Sequence, residues 1–260
     1  MNYVGNTALI TGASSGIGQA FARALAQKGM NLVLVARSEN KLQLLASELH
    51  HQHDITATII PADLSVEKAG WYVYEQTQEL NLPVDLLINN AGFSTNGKFE
   101  TIALVQEHQQ VMLNVVSIVD LTHAFIPNML KKGEGAIVNV GSTASFYPLA
   151  YQAVYAASKA FVLSFSEALW AEYQGKGIKV LALCPGATDT EFFQAMGRDV
   201  KLKKHSPQKV VRLALVALEH NRHYVIPGFR NNVESRFLPR LLPRALVAKL
   251  VGSISQRIYR

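Results

Sequence analysis

The sequence predicts an α/β fold, a doubly wound parallel sheet of about seven strands with helices on both faces in three layers. Three observations predict it. Short β-rich runs alternate with segments of helical periodicity along the chain, the order that crossover helices between parallel strands require. The runs are continuously apolar, as expected of strands covered on both sides. A glycine-rich turn stands directly between the first run and the first helical segment. The 260 residues, 49% of them hydrophobic, are enough for a sizeable core. With no internal repeat, low-complexity tract or linker, residues 1–260 are expected to form one domain.

The expected strands, in order, are Ala8–Thr11, Leu32–Ala36, Ala57–Ile60, Leu86–Asn89, Ala136–Val140, Val180–Cys184 and Tyr224–Ile226. The first helix is expected over Gln19–Lys28, and Gly29 and Gly133 stand where helices should stop. Between first strand and first helix, Thr11-Gly12-Ala13-Ser14-Ser15-Gly16-Ile17-Gly18 reads as a dinucleotide cradle. Its glycines let the backbone turn tightly against a pyrophosphate, and the helix N-terminus offers free N–H groups to anionic oxygens. Gly12, Ser14, Ser15, Gly16, Ile17 and Gly18 are therefore candidate cofactor-binding residues. The second strand ends in Leu34-Val35-Ala36-Arg37 with no acid to hold ribose hydroxyls. A guanidinium there pairs with a 2′-phosphate, so NADP(H) is favoured over NAD(H). Asp63-Leu64 after the third strand is placed to flank the adenine, and Asn89-Asn90-Ala91-Gly92 brings a second small-residue turn to the same sheet edge. Asp63, Leu64, Asn90, Ala91 and Gly92 join the binding set.

Tyr155 and Lys159 stand four apart, so on a helix they share a face and the ammonium favours the ionised phenol. A free phenol titrates near ~10 and exchanges protons poorly at neutral pH; a cation beside it lowers that barrier. Ser142 lies thirteen residues earlier, just after the fifth expected strand. Tyr147, Tyr151 and Tyr173 have no lysine four residues on and read as lining or packing, and Thr143 and Ser145 are local rivals of Ser142. Asn114 has a second reading, as a side chain satisfying helix backbone. Cys184 reads as a small buried residue.

Taken together, Thr11-Gly12 with Gly16-Ile17-Gly18, Asn89-Asn90-Ala91-Gly92, Asn114, Ser142, Tyr155 with Lys159, and Pro185-Gly186 occur in order between Thr7 and about Thr190. In this the chain closely resembles the short-chain dehydrogenase/reductase family and its Rossmann-type fold. The resemblance implies a catalytic tetrad of Asn114, Ser142, Tyr155 and Lys159. Ser142 would polarise the substrate oxygen, Tyr155 would exchange the proton, Lys159 would tune Tyr155 and hold the nicotinamide ribose, and Asn114 would position a water beside Lys159. It also implies that Pro185, Gly186, Thr188 and Thr190 orient the carboxamide, and that the protein is a homodimer or homotetramer using the helices around Asn114 and Tyr155. The expected activity is carbonyl/alcohol interconversion on a hydrophobic ketone, aldehyde, steroid-like or 3-oxoacyl compound. A nucleotide-bound regulatory or scaffold protein without turnover is the alternative. Many relatives carry Lys or Arg where this chain has Ser15, which leaves the 2′-phosphate mainly to Arg37.

The resemblance also implies a substrate lid over residues 190–205, where Phe192, Phe193 and Met196 are followed by Arg198, Lys201, Lys203 and Lys204; the other reading is a solvated lysine run with two core phenylalanines. The net charge of +6 is uneven: from residue 221 onward eight Lys or Arg face one acid, Glu234, while the rest of the chain has 17 against 18. No groove-reading or base-stacking motif accompanies the charge, so no nucleic-acid partner is expected. A single cysteine and the absence of zinc-ligand spacing exclude a disulfide framework and a metal site. With no cleavage-like leader and no long apolar run, the expectation is a cytoplasmic protein. The basic, amphipathic extension over residues 230–260, with Pro243 opening a helix to about Val251, has two readings. It packs over the cleft or a subunit interface, which its two prolines favour, or it makes peripheral contact with an anionic membrane.

Overall fold

The computed structural model describes residues 2–192 and 204–258. Among these residues, seven strands form one all-parallel sheet: β1 (Thr7–Thr11), β2 (Asn31–Ala36), β3 (Ala57–Pro61), β4 (Leu86–Asn89), β5 (Gly135–Val140), β6 (Ile178–Leu183) and β7 (Tyr224–Val225). Their spatial order is β3-β2-β1-β4-β5-β6-β7. The expected fold class is the one observed, and every expected strand lies within two residues of its place. The helices are α1 (Gly16–Ala26), α2 (Glu39–His53), α3 (Ala69–Glu79), α4 (Leu104–Val111), α5 (Ser117–Lys132), α6 (Ala153–Glu172), α7 (Pro207–Glu219), α8 (Phe229–Leu241) and α9 (Arg244–Ile258).

The continuous apolar runs are explained by the period of two along a strand. Ile10, Leu34 and Val138 join Phe21, Leu25, Leu42 and Leu215 of α1, α2 and α7 in the core on one face. Their neighbours Leu9, Val35 and Ile137 join Val73, Leu121 and Phe125 of α3 and α5 on the other. Gly133, in a left-handed conformation at φ +73°, ends α5 as expected. The helical stretch Leu104–Lys132 is 29 residues long and apolar enough by composition to cross a membrane, but half of its apolar window is buried in the fold.

From β1 the sheet grows one way through β2 and β3 and the other way through β4 to β7. The reversal opens a crevice at the carboxyl ends of β1 and β4, where open α/β sheets bind ligands. A buried polar string lies beneath it. Asn89 donates to Thr122 Oγ1 (3.2 Å) and Asn139 Oδ1 (2.9 Å), and Asn139 donates to Ser166 Oγ (3.0 Å). These bonds tie α5 and α6 to the ends of β4 and β5.

The extension differs from its expected form. α9 begins at Arg244 and runs on to Ile258, and a further helix, α8, precedes it with Pro239 near its end. The packing reading holds for one side of this segment: Ser235, Val247 and Val251 are buried, and α8 rests on the short 3₁₀ turn Thr143–Phe146.

Phe21 is fully buried between α1 and the sheet. Phe21→Ala is expected to lower the unfolding free energy by about 3–5 kcal/mol, read by urea denaturation; a loss under about 1 kcal/mol would mean that this core layer is not tightly packed.

Candidate active site

The turn after β1 is fastened to the turn after β4 by Thr11 and Asn90. The Thr11 hydroxyl accepts from the amides of Asn90 (2.9 Å) and Ala91 (3.0 Å) and donates to the Ile88 carbonyl (3.3 Å). The Asn90 side-chain amide returns two bonds, to the carbonyls of Thr11 (2.9 Å) and Gly12 (3.3 Å). Gly12 has φ +65°, and a Cβ there would stand 2.8 Å from Asn90 Nδ2. A Cβ on Gly18 would run into the Gly12 carbonyl. Space therefore requires glycine at both positions, and at Gly12 the left-handed backbone requires it as well. Ser15 enters α1 in extended conformation without capping it through its side chain, so the first amides of the helix keep their donors. α1 begins at Gly16, earlier than the expected Gln19, because the cradle is the helix's first turn.

Gly16 lies against Thr190, whose Cγ2 would be 2.9 Å from a Cβ. Ser14, Ser15, Gly16, Lys41 and Thr190 line a cavity of about 450 Å³. The segment after β6 is pinned by Thr143 N donating to the Pro185 carbonyl (2.9 Å) and Thr188 Oγ1 to the Gly186 carbonyl (3.0 Å). Ile17 packs partly on the core. Arg37 follows β2 as expected and is exposed. It faces Asp63: burial pushes that carboxyl up, but bonds from the Ser65 hydroxyl (2.6 Å) and amide (2.9 Å), with the Arg37 charge, bring it below its usual range. Leu64 is buried in the core rather than open at the crevice. The glycine cradle, the uncapped helix start and the exposed Arg37 after β2 fit a dinucleotide cofactor.

Lys159 is 4% exposed, and its ammonium donates to the Val140 carbonyl at 2.8 Å. Burial lowers its pKa from the usual 10.5 to about 8. The ammonium is 5.8 Å from the centre of the Tyr155 ring, so the pair shares one face of α6 as the spacing requires. Ser142 caps the turn after β5, its Oγ accepting from Ala144 N (3.1 Å), and it remains partly exposed. Its rival Ser145 is buried, donates to the Lys159 backbone carbonyl (2.7 Å) and accepts from the Ser142 amide (3.2 Å). Ser145 is thus a tie between turn and helix, and Ser142 is the serine left partly exposed.

Asn114 sits, fully buried, in the π-helical turn Met112–Val116. It accepts from Phe93 N (3.2 Å) and donates to the Phe93 carbonyl (3.0 Å) and Ser158 Oγ (3.2 Å). The backbone it satisfies is therefore the loop after β4, not its own helix. A Cβ on Gly92 would stand 3.0 Å from Asn114 Oδ1 and 3.4 Å from Lys159 Nζ, which brings three predicted site elements into contact distance. Cys184 is buried as expected, and burial raises its thiol to about 12.

Sequence reasoning missed Thr11 as the stitch between turns, Ser158 as the partner of Asn114, and Asn231, whose side chain presses on Gly186 so closely that no Cβ fits there. The position of Thr11 just before Gly12 was the one local signal. Of the expected lid, Phe192 lies beside Tyr155 with ring centres 5.9 Å apart. Phe193, Met196, Arg198, Lys201 and Lys203 lie outside the described residues.

Fold and site together define a dinucleotide-type α/β oxidoreductase. The short chain dehydrogenase family profile matches residues 6–201, and the chain belongs to that family. It is 31% identical over 98% of its length to a very-long-chain 3-oxoacyl-CoA reductase of Anas platyrhynchos, covering 81% of that protein. It is 35% identical over 98% of its length to the ketoacyl reductase HetN of a Nostoc species, covering 88% of it. The solved short-chain dehydrogenase from Sphingobium yanoikuyae in complex with NADPH superposes with a TM-score of 0.83 at 35% identity, over 90% of this chain and 92% of that one.

The lowered pKa of Lys159 makes stability depend on pH. Between about 8, its folded value, and 10.5, its ordinary one, the unfolded chain binds the extra proton, so this residue's contribution to stability rises with pH. Urea unfolding at pH 8 and pH 10 is expected to show that Lys159→Met removes this rise; equal pH dependence in the two proteins would mean that the ammonium is not desolvated.

Proposed function

We propose that this protein is an NADP(H)-dependent reductase and dehydrogenase that interconverts a hydrophobic carbonyl compound and its alcohol. The observation that carries the reading is the buried Lys159 ammonium beside Tyr155, at the same crevice as the bare glycine cradle. The bound nicotinamide would exchange a hydride with the carbonyl carbon. In reduction the Tyr155 hydroxyl gives its proton to the carbonyl oxygen, and the ammonium of Lys159 stabilises the phenolate left behind. Ser142 Oγ donates a hydrogen bond to the same oxygen as charge develops on it. Oxidation of the alcohol runs the same steps backwards. Asn114 holds the loop from Gly92 to Phe93 against α6 and so fixes the floor on which substrate and ribose rest.

The preference for the phosphorylated cofactor is supported by Arg37 at the end of β2, where no acid stands, and by the NADPH bound in the Sphingobium relative. A hydrophobic substrate is supported by Phe192 beside Tyr155 and by the names of the two oxoacyl reductases above. Long-chain ketones and 3-oxoacyl thioesters are the compounds to try first.

In a carbonyl panel run with NADPH and NADH in parallel, Tyr155→Phe is expected to lower kcat by about 10²- to 10⁴-fold while nucleotide binding, read by NADPH fluorescence, is kept. Binding without turnover across the panel would favour a regulatory nucleotide-binding protein instead. Arg37→Ala is expected to raise KM for NADPH by about tenfold or more and leave KM for NADH nearly unchanged. A wild-type preference for NADH would refute the role given to Arg37.

A further inference from the structure

We propose that the outward face of α8 and α9 docks this protein on an anionic membrane surface. The argument is geometric and does not rest on the activity proposed above. A surface helix ordinarily turns its apolar side to the core; among its described side chains α8 does the reverse. Ser235 is 2% exposed, and Asn231 turns inward to donate to the Pro227 carbonyl (3.0 Å) and press on Gly186. Phe229, Val233, Phe237 and Leu241 recur every four residues along the opposite side. Phe229 is 88% exposed, Phe237 54% and Leu241 76%. Among the described side chains of α9, Val247 and Val251 are buried, while Leu246 and Leu250 face out beside Lys249.

These apolar side chains are interleaved with cations. Arg230, Arg244 and Lys249 are exposed, Arg236 stands at the rim over the Tyr224 ring, and Glu234, the one acid from residue 221 onward, is held by Arg230 at 2.6 Å. A second copy seated on this face about a two-fold axis would set the cationic patch against itself. A nucleic-acid backbone would satisfy the charges and leave Leu241, Leu246 and Leu250 bare. An anionic lipid surface answers both, with headgroups for the guanidinium and ammonium groups and the acyl boundary for Phe and Leu. The helices have 13 and 15 residues, too short at ~1.5 Å per residue for a ~30 Å hydrocarbon core, so they would lie in the interface without spanning it. Because the inner side of α8 rests on the Thr143–Phe146 turn and on Gly186, docking would bring the rim of the crevice to the lipid surface.

The test is co-sedimentation of the full chain with sucrose-loaded vesicles of phosphatidylcholine alone or with about 30% phosphatidylserine, at low and high salt. Wild-type protein is expected to partition onto the anionic vesicles and to be released by salt. The triple variant Phe229→Ser, Phe237→Ser, Leu241→Ser is expected to lose about tenfold or more of that partition, with its melting midpoint unchanged. Arg244→Glu with Lys249→Glu, a second and independent variant, is expected to abolish the preference for anionic lipid. Failure of the wild type to bind either vesicle, or equal binding by wild type and both variants, overturns the proposal. So does sedimentation velocity in which the triple variant breaks up a wild-type oligomer that no vesicle binds, since the face would then be a subunit contact.

Discussion

Burying the ammonium of Lys159 obliges the protein to replace the water that a charge would otherwise keep. Several separate features of the fold answer to that demand. The end of β5 presents the Val140 carbonyl at 2.8 Å, and Ser145 fixes the Lys159 backbone so that the side chain can reach it. Gly92 leaves the approach open, since a Cβ there would crowd Asn114 and touch the ammonium. The desolvation left over lowers the lysine to about 8, which keeps it mostly charged at neutral pH. Cys184, the nearest thiol, does not neutralise it, because burial raises the thiol to about 12.

That arrangement works only if α6 and the π-helical turn keep their register against the strands. The polar string through Thr122, Asn89, Asn139 and Ser166 supplies the register. It crosses from α5 to α6 through β4 and β5 inside an otherwise apolar interior. Apolar packing alone tolerates small slips, whereas a chain of buried hydrogen bonds loses several partners at once when one element shifts.

What could be read in the sequence was what depends on neighbours in the chain. The strands, the glycine cradle and the pairing of Tyr155 with Lys159 are set by periodicity and spacing within a few residues. Thr11 and Asn90 are 79 positions apart, and Asn114 and Ser158 are 44 apart, so their contacts exist only once the sheet has formed. The choice between Ser142 and Ser145 has the same character. Both follow β5 within one short turn, and burial against α6 makes Ser145 a structural tie. The burial of the Leu64 side chain among residues of β1, β2 and β3 likewise depends on contacts made only in the folded sheet.

The extension was the least legible part, because which side of a mixed apolar and basic helix turns inward is decided by the surface it meets. Here the deciding surface is polar and tightly spaced. Gly186 has no Cβ, and Asn231 fills that space. Tyr147, raised by burial despite a bond with Thr143 that opposes the rise, also feels the negative charge of Glu234 on α8. The wall beside Ser142 is therefore built partly from residues far beyond the 6–201 family match. The sheet edge carries the proposed proton and hydride chemistry. Beside it lies a helix that turns Asn231 and Ser235 inward and leaves Phe229, Phe237 and Leu241 exposed.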